Sequence, residues 1–515
     1  MRLRRGNRRL PLLALLALAL AYGWLMQVNG WSQNAHWAFV RALADGVPYI
    51  DTTVGEIGDL GTGDTAMRDG HLYAAKPPGL ALATVPWYAA VSATGVRTTG
   101  EPTRPVWLMN LWASVLPALL LVVALWWFAE QLEPGLGALA AAIVGLGTMV
   151  LAFATLFFNH ALAAFFGFVP FAVLFHERRG PPRLRLVALA GLLAGLAFAA
   201  DYQIALSAGL VLGLYALRTR KARPLLLRAG AYLGGALAGA LPSLAYNWWA
   251  FGSPLHTIYR DYWAEQPGAP STLPFWANPD LATARDMLFS AMGLFTLAPV
   301  LLMGIVGLVL LWRRGLVAEA SVVAGVCLLV GFYQSGLGGF GGQGPPRYLM
   351  PLVPYLGLPI ALALRAFPLT TVALAAISIF QSVVQAATGP LAAYDGQWLE
   401  RARVRSFVLT AASVVDVTGF YTIAVFFLAV LATLAFAALA TRGLAVQPRE
   451  WPVAAAGLGV WALIALTAEN RFGLPPSTAY VLAAVAGGAA AAALAYVAWG
   501  AGRPRALEGS SAAAT

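Results

Sequence analysis

Charge, cysteine and polar–apolar alternation are what this sequence has little of. Of its 515 residues only 11% are Asp, Glu, Lys or Arg, while 60% are hydrophobic. Ordinary soluble domains carry about a quarter charged residues. A soluble chain of this length has no core large enough to hide so much apolar surface, which excludes that class. The single cysteine, Cys327, lies inside an apolar run, so an intrachain disulfide framework and a thiolate metal centre are both excluded, and packing is its role. Runs such as 116–128 and 481–499 lack the alternation of a membrane β-barrel. No His-Glu-x-x-His, Gly-x-Ser-x-Gly or Walker-type motif occurs, so metalloprotease, serine-hydrolase and ATP-driven readings have no anchor. No internal repeat supports an inverted-repeat transporter.

What the sequence has is apolar runs near the length of roughly 20 residues that crosses hydrocarbon as a helix. The expected fold is all-α, a polytopic transmembrane bundle of about 13–15 spans whose extracytoplasmic loops carry short interfacial helices. Candidate spans are 10–28, 80–96, 106–128, 136–152, 161–176, 186–200, 204–217, 229–246, 291–312, 316–333, 349–364, 369–387, 420–440, 453–468 and 480–500. The chain divides into a cytoplasmic tail and first span (1–28) and a first outer loop (29–78). A membrane core (79–388) follows, with outer loops 247–290 and 334–347, then C-terminal spans (389–502) and a disordered tail (503–515). Segment 10–26 follows Arg2, Arg4, Arg5, Arg8 and Arg9 without a small-residue cleavage site, so it reads as a retained signal anchor in the plasma membrane.

The net charge of +11 does not point to nucleic acid, because the Arg residues collect at helix ends, where they set orientation and meet anionic membrane lipid. Clusters at the N-terminus, 178–185, 218–228, 313–314, 365, 442–449 and 503–505 place both termini in the cytoplasm. Five candidate spans lie between the N-terminus and Arg178, yet both ends carry cytoplasmic charge. One of the five must therefore be short, re-entrant or interfacial. Segment 80–96, interrupted by Pro86, and the region around Phe158-Asn159-His160 are the suspects.

Five polar constellations interrupt this apolar background. The first loop carries Asp51 and Asp59, then Asp64, Asp69, His71, Tyr73 and Lys76-Pro77-Pro78-Gly79. Carboxylates can take a proton from an incoming hydroxyl, and an ammonium can stabilise a departing phosphate; the bland alternative is a solvated loop with Asp and Gly turns. Phe157-Phe158-Asn159-His160 sets polar groups in an apolar stretch, where they are costly unless they serve a cavity. Asp201-Tyr202-Gln203 ends one apolar segment. Tyr246-Asn247-Trp248-Trp249 leads into Phe251-Gly252-Ser253-Pro254. Last comes the Gly-rich run 338–344, then Pro345-Pro346-Arg347-Tyr348. Backbone N–H groups and a guanidinium there suit a phosphate, and an Arg on the outer side needs such a reason.

Taken in order, these pieces resemble bacterial membrane glycosyltransferases of the GT-C superfamily, relatives of protein mannosyltransferases and aminoarabinose transferases. The resemblance covers about 10–364. It implies transfer of a sugar from a polyprenyl-phosphate-linked donor to an extracytoplasmic glycan, lipid or protein acceptor, usually with inversion. It also implies an acidic base in the first outer loop. Where that family commonly has Asp or Asp-Glu after the first helix, this chain has Ser32-Gln33-Asn34, and Asp64, then Asp51, are the substitutes. Lys76, Arg347 and Tyr348 are the expected donor-phosphate residues. His71, Tyr73, Asn159, His160, Tyr246 and Asn247 are the expected substrate contacts. No cofactor is required; a divalent metal is compatible with the carboxylates but not demanded. A transporter or flippase without bond chemistry is the competing class, and an envelope scaffold is a third.

Overall fold

The structure, a computed structural model, describes residues 9–55, 61–95, 103–204, 209–217, 222–264, 279–336, 346–390, 398–448 and 450–468. The Gly-rich run 338–344, the candidate span 480–500 and the tail 503–515 lie outside the described residues. The chain folds as an all-α, multi-pass bundle, because helices satisfy every backbone polar group within one segment.

In chain order, α1 (Arg9–Trp24) leads to β1 (Leu25–Met26), α2 (Trp31–Ala44), α3 (Asp51–Gly55) and the hairpin of β2 (Thr65–Arg68) and β3 (His71–Ala74). Next come α4 (Gly79–Ser92) and α5 (Thr103–Asn110), continued through a π-turn, Leu111–Val115, into α6 (Leu116–Leu132). Then follow α7 (Gly137–Gly147), α8 (Met149–Ala154), α9 (Asn159–Arg178), α10 (Leu184–Ala200), α11 (Tyr202–Ile204), α12 (Leu210–Ala216), α13 (Ala222–Phe251) and α14 (Ile258–Ala264). The later part runs through α15 (Leu281–Phe289), α16 (Leu294–Leu297), α17 (Val300–Arg313), α18 (Val317–Ser335) and the 3-10 turn Arg347–Leu352. It ends with α19 (Val353–Gly357), α20 (Ile360–Ala366), α21 (Pro368–Thr388), α22 (Trp398–Arg403), β4 (Leu409–Thr410), α23 (Ile423–Ala440) and α24 (Glu450–Ala468).

Among the described residues seven helices are long and apolar enough to cross a membrane alone, or nine if each of two helix pairs, bent by 91° and 49°, is one span. The bends fall where the sequence places proline. Pro299 breaks the expected span 291–312, and Pro351, Pro354 and Pro359 break 349–364, since proline removes a backbone donor and clashes with the preceding turn. The expected span 136–152 divides at Thr148, whose extended backbone and side chain cap α8 through Val150 N (3.3 Å).

Two ends of the bundle can be told apart. At one, Arg228 grips buried Glu177 with two bonds of 2.9 and 2.8 Å, Arg314 and Arg365 converge on Glu133, and Arg442 N bonds to Gly135 O (3.0 Å). At the other, β1 pairs antiparallel with β4, Arg104 bonds to Ser413 O (2.8 Å) and Trp107 to Gly23 O (2.9 Å). The first we call the Arg-rich end and the second the site end.

This frame resolves the odd span. Trp112 donates to Ala83 O (3.0 Å) and Trp87 to Leu108 O (2.9 Å), so α4 runs antiparallel beside α5 and its turn. Gly79 abuts Ala199 and Ala200 at the site end of α10. Both ends of α4 therefore stay at the site end. Before Arg179, α1, α5–α6, α7–α8 and α9 each run between the two ends of the bundle, an even number, and α4 does not.

Helices α10 and α13 pack face to face through Gly191-x-x-x-Gly195 and Gly235-x-x-x-Gly239. A Cβ at any of the four would stand 2.0–2.1 Å from a carbonyl oxygen of the facing helix. Small residues at this period let membrane helices approach to backbone contact. Gly239→Ala should lower the thermal midpoint of the purified protein, costing about 1–3 kcal/mol. Gly234→Ala, which meets open space, should leave the midpoint unchanged.

Candidate active site

The first loop folds back on α2 and delivers its charges to one point. Asp69 and Gly70 adopt positive φ (51° and 82°) in the hairpin turn, the conformation that an Asp-Gly turn supplies. The register pairs Thr65 with Ala74, and Ala75 N bonds to Asp64 O (2.8 Å). Lys76, one residue on, thus returns over the Asp64 side chain before Pro77 and Pro78 start α4. Its ammonium lies 2.7 Å from the Asp64 carboxylate and 3.2 Å from Ser32 Oγ, which itself donates to that carboxylate. Thr62 Oγ1 bonds to Trp31 O (2.8 Å) and Asn34 to Gly61 O (2.9 Å), holding this stretch against the start of α2. Gly63 packs under the Trp31 ring, which a Cβ at 2.6 Å would push aside.

A second cation arrives from far along the chain. Arg347 opens the 3-10 turn, is 7% exposed, and sets its guanidinium 5.2 Å from the Phe158 ring centre and 5.1 Å from that of Tyr348. The Lys76 ammonium lies 6.0 Å from the same Phe158 ring. One aromatic face thus orients both cations.

Buried polar groups complete the cluster. Asn159, in the first turn of α9, donates to Ala200 O (2.9 Å) and reaches Asp201 Oδ2 (3.5 Å). His160 Nδ1 stands 4.0 Å from the same oxygen, and the Tyr348 ring 6.1 Å from the imidazole. Asp201 Oδ1 accepts from Gln203 N (3.0 Å). Burial pushes the Asp201 carboxyl up to about 6, against the Gln203 N–H and the charges of Lys76 and Arg347. His36, on α2, meets Phe157 and Phe158 edge-on and is pushed down to about 3 by burial and then by Lys76, so it is neutral. Burial also raises Asp64, but Lys76, Ser32 and Arg347 more than offset it and hold that carboxyl at about 2.

The structure therefore brings together Asp64, Lys76, Asn159, His160, Arg347 and Tyr348 of the sequence-derived candidates. It places Asp51, His71, Tyr73 and Tyr246 in a separate cluster, and Asn247 between the two, within reach of Tyr202 beside Asp201. Asp51 accepts from His71 Nδ1 (2.6 Å) and Leu72 N (2.6 Å), and His71 stacks on Tyr49 (3.9 Å) near the hairpin tip, a strand's length from Lys76. Tyr73 bonds to Ala250 O (3.4 Å), Tyr246 to Pro48 O (3.0 Å) and Asn247 to Pro254 O (3.1 Å). Their bonds pin the first loop to the end of α13 and turn it over the bundle. Arg68 adds a clamp to α14 through His256 (3.0 Å) and Asp261 (3.1 Å).

Sequence reasoning missed His36 and underweighted Ser32 and Asp201. Ser32 and His36 stand four residues apart on one helix, the spacing that shares a face. A carboxylate ending an apolar helix was the signal at Asp201. Among the described residues no three His, Cys, Asp or Glu side chains converge as metal ligands.

No protein-family model matches this chain, and no curated protein matches it. Among solved structures it is similar to ArnT from Cupriavidus metallidurans in the apo state, with 17% identity and a TM-score of 0.46 over 96% of this chain and 77% of that one. For the same protein bound to undecaprenyl phosphate the values are 15% and 0.45 over the same shares. The apo oligosaccharyltransferase of Archaeoglobus fulgidus gives 12% and 0.40, over 89% of this chain and 60% of that one. At such scores the likeness carries no argument, and the functional reading rests on the side chains described above.

The raised Asp201 carboxyl makes a test. The native state holds that proton more tightly than the unfolded chain, so the stabilisation is complete below the ordinary 3.8 and is lost as the pH rises through about 6. Thermal midpoints taken across that range should show a downward step in the native protein. Asp201→Asn, which cannot ionise, should lack the step and gain on the native chain above it.

Proposed function

We propose that this protein is a membrane glycosyltransferase that moves a sugar from a polyprenyl-phosphate-linked donor to an extracytoplasmic cell-envelope acceptor, with inversion. The observation that carries the reading is the meeting of Lys76 and Arg347 at one aromatic ring, beside the Asp64 carboxylate, at the end of an apolar bundle. The positive-inside bias makes the Arg-rich end cytoplasmic and puts the site on the opposite face.

The chemistry follows from the groups. An acceptor hydroxyl attacks the anomeric carbon while the bond from that carbon to the phosphate oxygen breaks. The electron pair leaves with the polyprenyl phosphate, whose charge Lys76 and Arg347 stabilise, and Asp64 takes the hydroxyl proton. Lys76 grips Asp64 and keeps it a weak base. A donor phosphate competes for that ammonium, and a carboxylate released from it regains basicity where a proton must be accepted. Asn159, His160 and Asp201 face the same space and offer hydrogen bonds to sugar hydroxyls. The resemblance sets a carboxylate just after the first helix; here Ser32 stands there and hydrogen-bonds Asp64, so position 64 supplies the carboxylate to that spot. An apolar groove of about 600 Å³ along α10, α12 and α13, lined by Phe198, Leu210, Leu214, Leu233 and Leu237, suits an isoprenoid tail. Phe198 at its mouth packs on Tyr202, next to Asp201.

Purified protein given a labelled polyprenyl-phosphate sugar and an acceptor should release polyprenyl phosphate. Asp64→Asn should cut the rate per folded molecule by about 10²–10⁴, and the folded fraction should bind polyprenyl phosphate at least as tightly as the native chain, since Lys76 is then free. Lys76→Ala and Arg347→Ala should weaken donor binding, while Asp51→Asn keeps its rate. Full activity in Asp64→Asn would remove the base assignment. Passage of the intact lipid-linked sugar across vesicles, with no bond cleaved, would replace the reading with a carrier.

A further inference from the structure

The Arg-rich end holds a second cavity, remote from the site and unused by the chemistry above. It measures about 230 Å³ and lies between the ends of α6, α9 and α10, lined by Trp127, Gln131, His176, Arg179, Arg183 and Leu186 among others. That is the volume of roughly eight waters, the scale of a small headgroup.

Its charge is unbalanced. Glu177 also lines it, but the carboxylate is wholly buried, and Arg228 takes both oxygens at 2.9 and 2.8 Å while Arg183 N adds a bond of 3.1 Å. The one carboxylate of the lining is thus neutralised from behind, by a residue of α13. Arg179 and Arg183 make no salt bridge among the described residues, and both are exposed at the opening. Arg179 is also held in place, its guanidinium stacked 4.1 Å from the Phe175 ring centre. A stacked guanidinium keeps its N–H edge available for oxygen acceptors. Trp127, against which His176 packs edge-on (6.0 Å), forms the wall toward the neighbouring helices.

We infer that this cavity binds the phosphate of an anionic membrane lipid, with Arg179 and Arg183 on the phosphate oxygens and Trp127 and Leu186 beside the first carbons of the lipid. Helix-end Arg residues that only orient spans need neither a cavity nor a fixed guanidinium. Basic pockets between membrane helices recognise such headgroups. The occupant does not depend on sugar transfer, so the test stands apart from the donor site.

The full chain in detergent is titrated with phosphatidylglycerol, phosphatidylcholine or inorganic phosphate, and retained lipid is read by native mass spectrometry alongside the thermal midpoint. Phosphatidylglycerol should bind and raise the midpoint, and the other two should not. Arg179→Gln with Arg183→Gln should weaken retention by at least about tenfold. The pair Arg9→Gln with Arg223→Gln, which removes the same charge from exposed positions at the same end, should retain lipid as the native chain does. Equal retention of the two lipids by the native protein overturns the site, whatever the variants' folding. So does an equal loss in both double variants, which would mark a diffuse charge effect. Equal protection by inorganic phosphate overturns the lipid as its source.

Discussion

A lysine ammonium that is 8% exposed at the end of an apolar bundle must have an anion beside it. Stripping one partner from a buried ion pair costs about 3–5 kcal/mol, because the remaining charge is left without water. That constraint organises the site end. The hairpin register, the Asp-Gly turn and the Ser32 hydroxyl place Asp64 against Lys76, and Pro77 and Pro78 then hold the lysine at the mouth of α4. In the structure the anion is the Asp64 carboxylate. In the proposed reaction a phosphate takes its place, and the same electrostatic demand then serves to hold the donor.

Much of the fold was legible because composition decides it. A chain so apolar has to fold as membrane helices, and arginine marks one set of helix ends. Proline also announces the bends, although segments 291–312 and 349–364 read as continuous spans by hydropathy alone. The non-crossing α4 could only be suspected from sequence. It is apolar enough to pass for a span, and what denies it a crossing is its partners, Leu108 and Trp112 on one side and Ala199 on the other. Such contacts join segments whose pairing no local pattern encodes.

The site was legible to the extent that polar groups stand out against apolar sequence. Asn159 and His160 interrupt a hydrophobic stretch, Asp64, Lys76 and Arg347 stand in polar loops that lead into one, and they meet. Asp51 and His71 carried the same signal but fell in another cluster, because a strand of the hairpin separates its tip from its base. His36 was hidden by its setting in an amphipathic helix, where a lone imidazole reads as packing. Its place against Phe157 and Phe158 depends on the docking of two distant elements.

The path of α4 bears on how the pocket could rearrange. The chain that carries Ser32, Asp64 and Lys76 leaves the bundle at β1 and rejoins it at α5, with both moorings at one end of the bundle. Swapping the lysine's anion therefore calls for no piston stroke through the hydrocarbon and no polar backbone dragged into lipid.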